Sequence, residues 1–167
     1  MFTTYKKHNN ELYNNLVKLS RNKFFYNEIR LEDKVENRIL LIFFHFALIL
    51  YVSKGKYNKD QSQNIFDNIF QNIEYTMREM GDGDVAVNKK MKNLSRIFYD
   101  ILITIEKNNL NSLNEKSHLI KKYFVNNQNK TQVNCDKLSR YFTHFKNFCF
   151  DLDVKNMLNG SFNYIYK

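Results

Sequence analysis

Apolar residues return every third or fourth position along most of this chain, the spacing of one helical face, and no convincing strand alternation is present. A first helix is predicted over about 9–22, with Leu12, Tyr13, Leu16, Val17 and Leu19 along one side. Phe24, Phe25 and Tyr26 follow as an aromatic knot in a short helical turn. Asp33 and Glu36 have the spacing of a capping box for a second helix that stops near Gly55. A third helix is expected from about Asp60 to Gly81, presenting Ile65, Phe66, Ile69, Phe70, Ile73 and Met77. Gly81-Asp82-Gly83-Asp84 is the clear loop in mid-chain, before a fourth helix over about 86–107. Ser112 and Glu115 form another capping-box pattern, opening a helix of about 113–125. A polar connector, 126–132, leads to a helix from about Asn134 to Phe150, with a short helix possible before Gly160.

Within the second helix the run Ile39–Val52 is apolar except for His45. At 1.5 Å per residue it spans about 21 Å, short of the roughly 30 Å of a bilayer core. It is therefore read as a central, buried helix.

Composition sharpens this picture. The chain has no proline, four glycines, 15 Phe and 11 Tyr, which favours long uninterrupted helices with ample apolar surface to offset ordering entropy. The expectation is all-α: a single compact bundle of about six to seven helices, forming one domain over residues 1–167. Two cysteines, Cys135 and Cys149, are too few for a disulfide framework or a zinc site, so buried thiols in a reducing compartment are expected. The opening residues lack an apolar h-region and are not arginine-rich, so no targeting segment is expected.

A net charge of +9 attracts anionic partners such as ribosomal RNA, acidic lipid or an acidic protein face, or simply forms a solvated lysine coat. The basic run Lys89, Lys90, Lys92 and Arg96 is the most concentrated candidate, and positions 89, 92 and 96 share a helical face.

Catalytic patterns fail one by one. The histidines His8, His45, His118 and His144 form no HExxH, and Ala86 breaks both the dinucleotide and the EF-hand series. His144 and Cys149 stand five residues apart and turn away from each other on a helix. His45 reads as a hydrogen-bonded core histidine in preference to a haem ligand. No catalytic residue, metal site or cofactor is expected.

The distinctive segment is Met77-Arg78-Glu79-Met80-Gly81-Asp82-Gly83-Asp84-Val85-Ala86-Val87-Asn88-Lys89-Lys90-Met91-Lys92, with Phe98-Tyr99 beyond it. It resembles the signature of the ubiquinol–cytochrome c chaperone family, in which Leu-Arg-Glu-Met-Gly-x-Gly-Asp leads into Val-x-Lys-x-x-Lys and then Phe-Tyr. Arg78, Glu79, Gly81, Gly83, Asp84, Val87, Lys89 and Lys92 match. Asp67, Phe70, His45, Leu48 and Arg38 fit upstream elements, and Leu12-Tyr13, Ser20-Arg21 and Phe25-Tyr26 fit the N-terminal pattern. Asp100-Ile101 replaces the Gly-Arg common after Phe-Tyr, and beyond about residue 110 the likeness is loose.

The resemblance implies a non-enzymatic chaperone that binds newly made cytochrome b during assembly of the bc complex. It implies partners at the ribosome, an anionic membrane surface and a small protein partner, with no specific DNA. The location implied is the cytoplasmic side of the inner membrane in a bacterium, or the matrix side in an organelle. Arg78, Glu79, Gly81, Gly83, Asp84, Lys89 and Lys92 are the candidate partner-binding residues. On chemistry alone they can also lock a helical hairpin: Gly81 and Gly83 permit a tight turn, Asp84 can cap the next helix, and opposite charges can pair across the turn between the helix end at Arg78 and Glu79 and the helix start at Lys89 and Lys92. The rival functions are a basic helical RNA- or ribosome-binding module and a haem-handling protein using His45.

Overall fold

A computed structural model describes residues 10–108, 118–125 and 132–167. Among them the chain is helical with no strand: α1 (Glu11–Ser20), α2 (Lys23–Asn27), α3 (Val35–Ser53), α4 (Lys59–Glu79), α5 (Asp84–Lys107), α6 (His118–Ile120), a π turn (Lys121–Val125), α7 (Cys135–Phe150) and α8 (Val154–Asn159). The expected all-α bundle is what forms.

α3 is the axis of the bundle, packed by α1, α5, α7 and α8. From Ile39 to Leu50 every side chain is buried. The helix is longer than its apolar run suggested, 19 residues, so by length and composition it can cross a membrane. Burial decides the reading, because most of that span is enclosed by the other helices. Phe43 stacks on Phe70 of α4 and meets Phe98 of α5 edge-on. On the opposite side Phe44 packs on Phe124 and Phe142. Fully burying a phenylalanine contributes about 1.5–3 kcal/mol, and each well-placed ring pair about 0.5–1.5 more.

His45 sits fully buried in this aromatic core. Its Nδ1 donates to the Leu41 carbonyl at 2.6 Å, and its Nε2 accepts from the Tyr141 hydroxyl at 2.8 Å. Burial lowers its pKa from 6.5 to about 4, against the smaller upward pull of the backbone bond. The ring is therefore neutral at ordinary pH, and both nitrogens are engaged. A haem-handling role through His45 has no free nitrogen to use.

The predicted cap of α3 differs from what forms. Lys34, not Asp33, occupies the N-cap of α3 and makes no side-chain cap bond. Asp33 accepts instead from Arg38, at 2.8 Å from Nε and 2.6 Å from an Nη, so the guanidinium takes the carboxylate that the amides would otherwise use. A true capping box forms on α4, where Asn58 and Gln61 exchange bonds of 2.8 and 3.1 Å. The Ser112–Glu115 box and most of the 126–132 connector lie outside the described residues. α7, entered from its N-cap Asn134, and α8 fall where they were expected.

The C-terminal residues form an extended strap. Gly160, at φ +77°, ends α8 in a left-handed turn against α1, close enough that a Cβ would lie 2.5 Å from Leu12 Cα. Asn15 of α1 donates its side-chain amide to the carbonyls of Gly160 (3.0 Å) and Phe162 (2.6 Å). Phe162, Tyr164 and Tyr166 then turn inward at alternate positions and pack on Tyr141, Phe145 and Phe148 of α7.

Candidate functional site

The distinctive segment folds as the corner joining α4 to α5. Gly81, at φ +94°, completes a Schellman turn: its N–H reaches the Arg78 carbonyl at 3.0 Å, and the Asp82 N–H reaches that of Met77 at 3.3 Å. Underneath, Met77 and Val87 are buried and join the corner to the core. Gly83 is the N-cap of α5, in extended conformation at φ −72°, with nothing within 4 Å of the place a Cβ would take. The turn thus requires glycine at Gly81 and not at Gly83, contrary to the expectation for both.

Asp84 lies inside the first turn of α5 and does not cap it; no side chain caps that helix. Its carboxylate is taken by Arg78, whose guanidinium also holds Glu74 at 2.8 Å. Across the turn Lys90 pairs with Asp82 at 2.8 Å. Opposite charges do pair across the turn, but Glu79 pairs with neither Lys89 nor Lys92. The shorter spans to Glu74, Asp82 and Asp84 satisfy the corner's cations first, and they leave Glu79, Lys89 and Lys92 exposed with no ion pair among the described residues. Exposed pairs of this kind contribute little stability. Their consequence is geometric: they orient the corner.

Of the four residues expected on a basic face, Lys89, Lys92 and Arg96 do share the outer face of α5, and all are exposed. Lys90 lies roughly 100° around the helix from Lys89 and turns toward Asp82. Asp82 and Glu74 were missed as members of the corner, although Glu74 stands four residues before Arg78, a readable helical pair. Asp100, where the resemblance leads one to expect glycine, binds Lys122 at 2.8 Å and also accepts from the Tyr123 hydroxyl. Partial burial pushes its carboxyl up, but these hydrogen bonds prevail and hold it below the usual range. Asp100 thereby ties the π turn to α5. The two cysteines form no site: Cys149 is buried, with its thiol pushed up to about 12, while His144 is exposed on another side of α7.

These observations define a class: a basic all-α bundle with a buried histidine at its centre and an ion-braced helix–helix corner at its surface. The family model for the Ubiquinol-cytochrome C chaperone matches residues 27–164, which extends the likeness well past residue 110 and through α7 and α8. The chain belongs to the ubiquinol–cytochrome c chaperone family and has a ubiquinol–cytochrome c chaperone role. Among solved structures, the crystal structure of the Cbp3 homolog from Brucella abortus matches with a TM-score of 0.70 at 23% identity, over 93% of this chain and 87% of that one, so the two share a fold. No curated protein matches the sequence.

Proposed function

We propose that this chain binds newly synthesised cytochrome b and supports its incorporation into the ubiquinol–cytochrome c reductase complex, acting by binding and without catalytic turnover. The observation that carries this reading is the family match over residues 27–164, with its signature folded into one exposed corner. Arg78, Asp84 and Gly81 shape that corner, while Glu79, Lys89 and Lys92 present charge from it. In this reading Glu79 and the cations contact the client or a small protein partner, and the bundle works peripherally at the membrane where cytochrome b is inserted. That is the cytoplasmic face in a bacterium and the matrix face in an organelle.

Affinity capture of the tagged chain from detergent-solubilised membranes tests it. Cytochrome b is expected in the capture, and its recovery falls in a Glu79→Lys variant that remains helical. Normal levels of assembled bc complex after deletion of the gene would defeat the proposal. The rival RNA- or ribosome-binding reading rests on the exposed cations of α5, and predicts salt-sensitive capture of ribosomal RNA with little cytochrome b.

A further inference from the structure

The outer face of α5 carries more than charge. Val85, Lys89, Lys92, Arg96, Tyr99 and Ile103 follow one another at three- and four-residue steps, so at 100° per residue they lie within about 40° of a single line. The line runs about 27 Å along the helix. All six are exposed, and the apolar members sit at both ends: Val85 is 85% exposed, Tyr99 46% and Ile103 45%. Met80, 58% exposed, adds a further apolar side chain at the corner end. None of the three cations makes an ion pair with a carboxylate among the described residues; Arg96 donates to the Asn93 side-chain oxygen at 2.8 Å and feels Asp100 only at longer range. The two carboxylates that border the line are each met by a lysine from another element, Asp100 by Lys122 at 2.8 Å and Glu106 by Lys54 at 3.2 Å. The strip is thus positive in its middle, apolar at its ends and convex.

We infer that this strip is a docking surface for an anionic lipid bilayer. Three cations set side by side attract acidic headgroups, and long basic side chains reach phosphate while their stems lie along apolar surface. Val85, Ile103 and Met80 gain by entering the boundary with the acyl chains, and Tyr99 has the amphipathic form favoured at that depth. An RNA backbone makes use of the cations but gains nothing from exposed aliphatic side chains, and it is the bases, not valine or isoleucine, that need stacking partners. A convex helix face also suits a flat surface better than a client helix, which seeks a groove. This inference rests on the preceding proposal only for the relevance of a membrane, since the chaperone must meet its client there.

Co-sedimentation of the full chain with phosphatidylcholine vesicles, with and without phosphatidylglycerol, is the test. Binding is expected only with phosphatidylglycerol and weakens as salt is raised. A Lys89→Gln, Lys92→Gln, Arg96→Gln triple variant, confirmed helical by circular dichroism, binds on the order of a hundredfold more weakly. A Val85→Asn, Ile103→Asn variant also loses vesicle binding, while leaving any binding to polyuridylate unchanged. Equal sedimentation with neutral vesicles, an unaffected triple variant, or binding to polyuridylate without binding to acidic vesicles overturns the inference. Capture of cytochrome b in detergent by the Val85→Asn, Ile103→Asn variant, which leaves the charges of the corner in place, separates the two proposals. Retained capture with lost vesicle binding supports this surface, and failure of the wild-type chain to capture cytochrome b counts against the client reading alone.

Discussion

The Tyr141 hydroxyl donates to His45 Nε2 at 2.8 Å, joining α7 to the central helix across 96 residues of sequence. Each group answers the other's need: a buried neutral imidazole requires a donor at that nitrogen, and a buried phenol requires an acceptor. Tyr141→Phe removes the donor and leaves Nε2 unsatisfied in an aromatic surround. A loss of about 1–3 kcal/mol is expected in urea unfolding, with the helical spectrum intact. An unchanged midpoint would mean that the bond contributes nothing.

The same histidine makes stability depend on pH. Its folded pKa is lowered, by burial, from 6.5 to about 4. Between those values the unfolded chain takes up a proton that the native chain refuses. The stabilisation from neutral His45 is therefore complete above pH 6.5 and is lost as pH falls toward 4, by roughly 3 kcal/mol at the lower limit. Unfolding midpoints measured at neutral and mildly acid pH should drop more steeply for the wild type than for a His45→Gln variant.

Three glycines should rank differently when replaced. Gly160→Ala drives a Cβ to 2.5 Å from Leu12 N and Cα in a left-handed conformation, and is expected to cost roughly 2–4 kcal/mol. Gly81→Ala meets only the conformational penalty, about 1–2 kcal/mol, because the space around it is open. Thermal denaturation of the two variants checks the order.

Gly83 has neither a positive φ nor a close neighbour. Gly83→Ser supplies α5 with the cap it lacks, and stability should stay level or rise by roughly a few tenths of a kcal/mol. If that variant nevertheless captures less cytochrome b, the bare backbone at Gly83 serves the contact and not the turn. Equal capture would assign Gly83 no part in binding.

Local features of the sequence were the legible ones. The apolar run around His45 announced α3, and the Gly81 turn announced the break between α4 and α5, because both signals are complete within a few neighbouring residues. Cap assignment was less secure, since Asp33 has the right residue type and spacing but a stronger local competitor in Arg38. The corner was located but its ion pairs were misassigned: spacing alone cannot rank Lys89 against Lys90 for Asp82. The apolar ends of the α5 strip carry a readable three- and four-residue rhythm that the basic run obscured. The strap was the hardest to see. Its alternation of Phe162, Tyr164 and Tyr166 is short, and its tether Asn15 lies 145 residues from Gly160.

That tether also bears on how the protein matures. On a translating ribosome α1 emerges early, yet the groove side it shares with Gly160 and Phe162 stays open until the strap itself leaves the exit tunnel. Native closure of this face therefore waits until the strap has been made, and the aromatic flank of α7 that the strap covers stays open in the meantime. A chaperone of this build passes through a sticky stage of its own before it is finished.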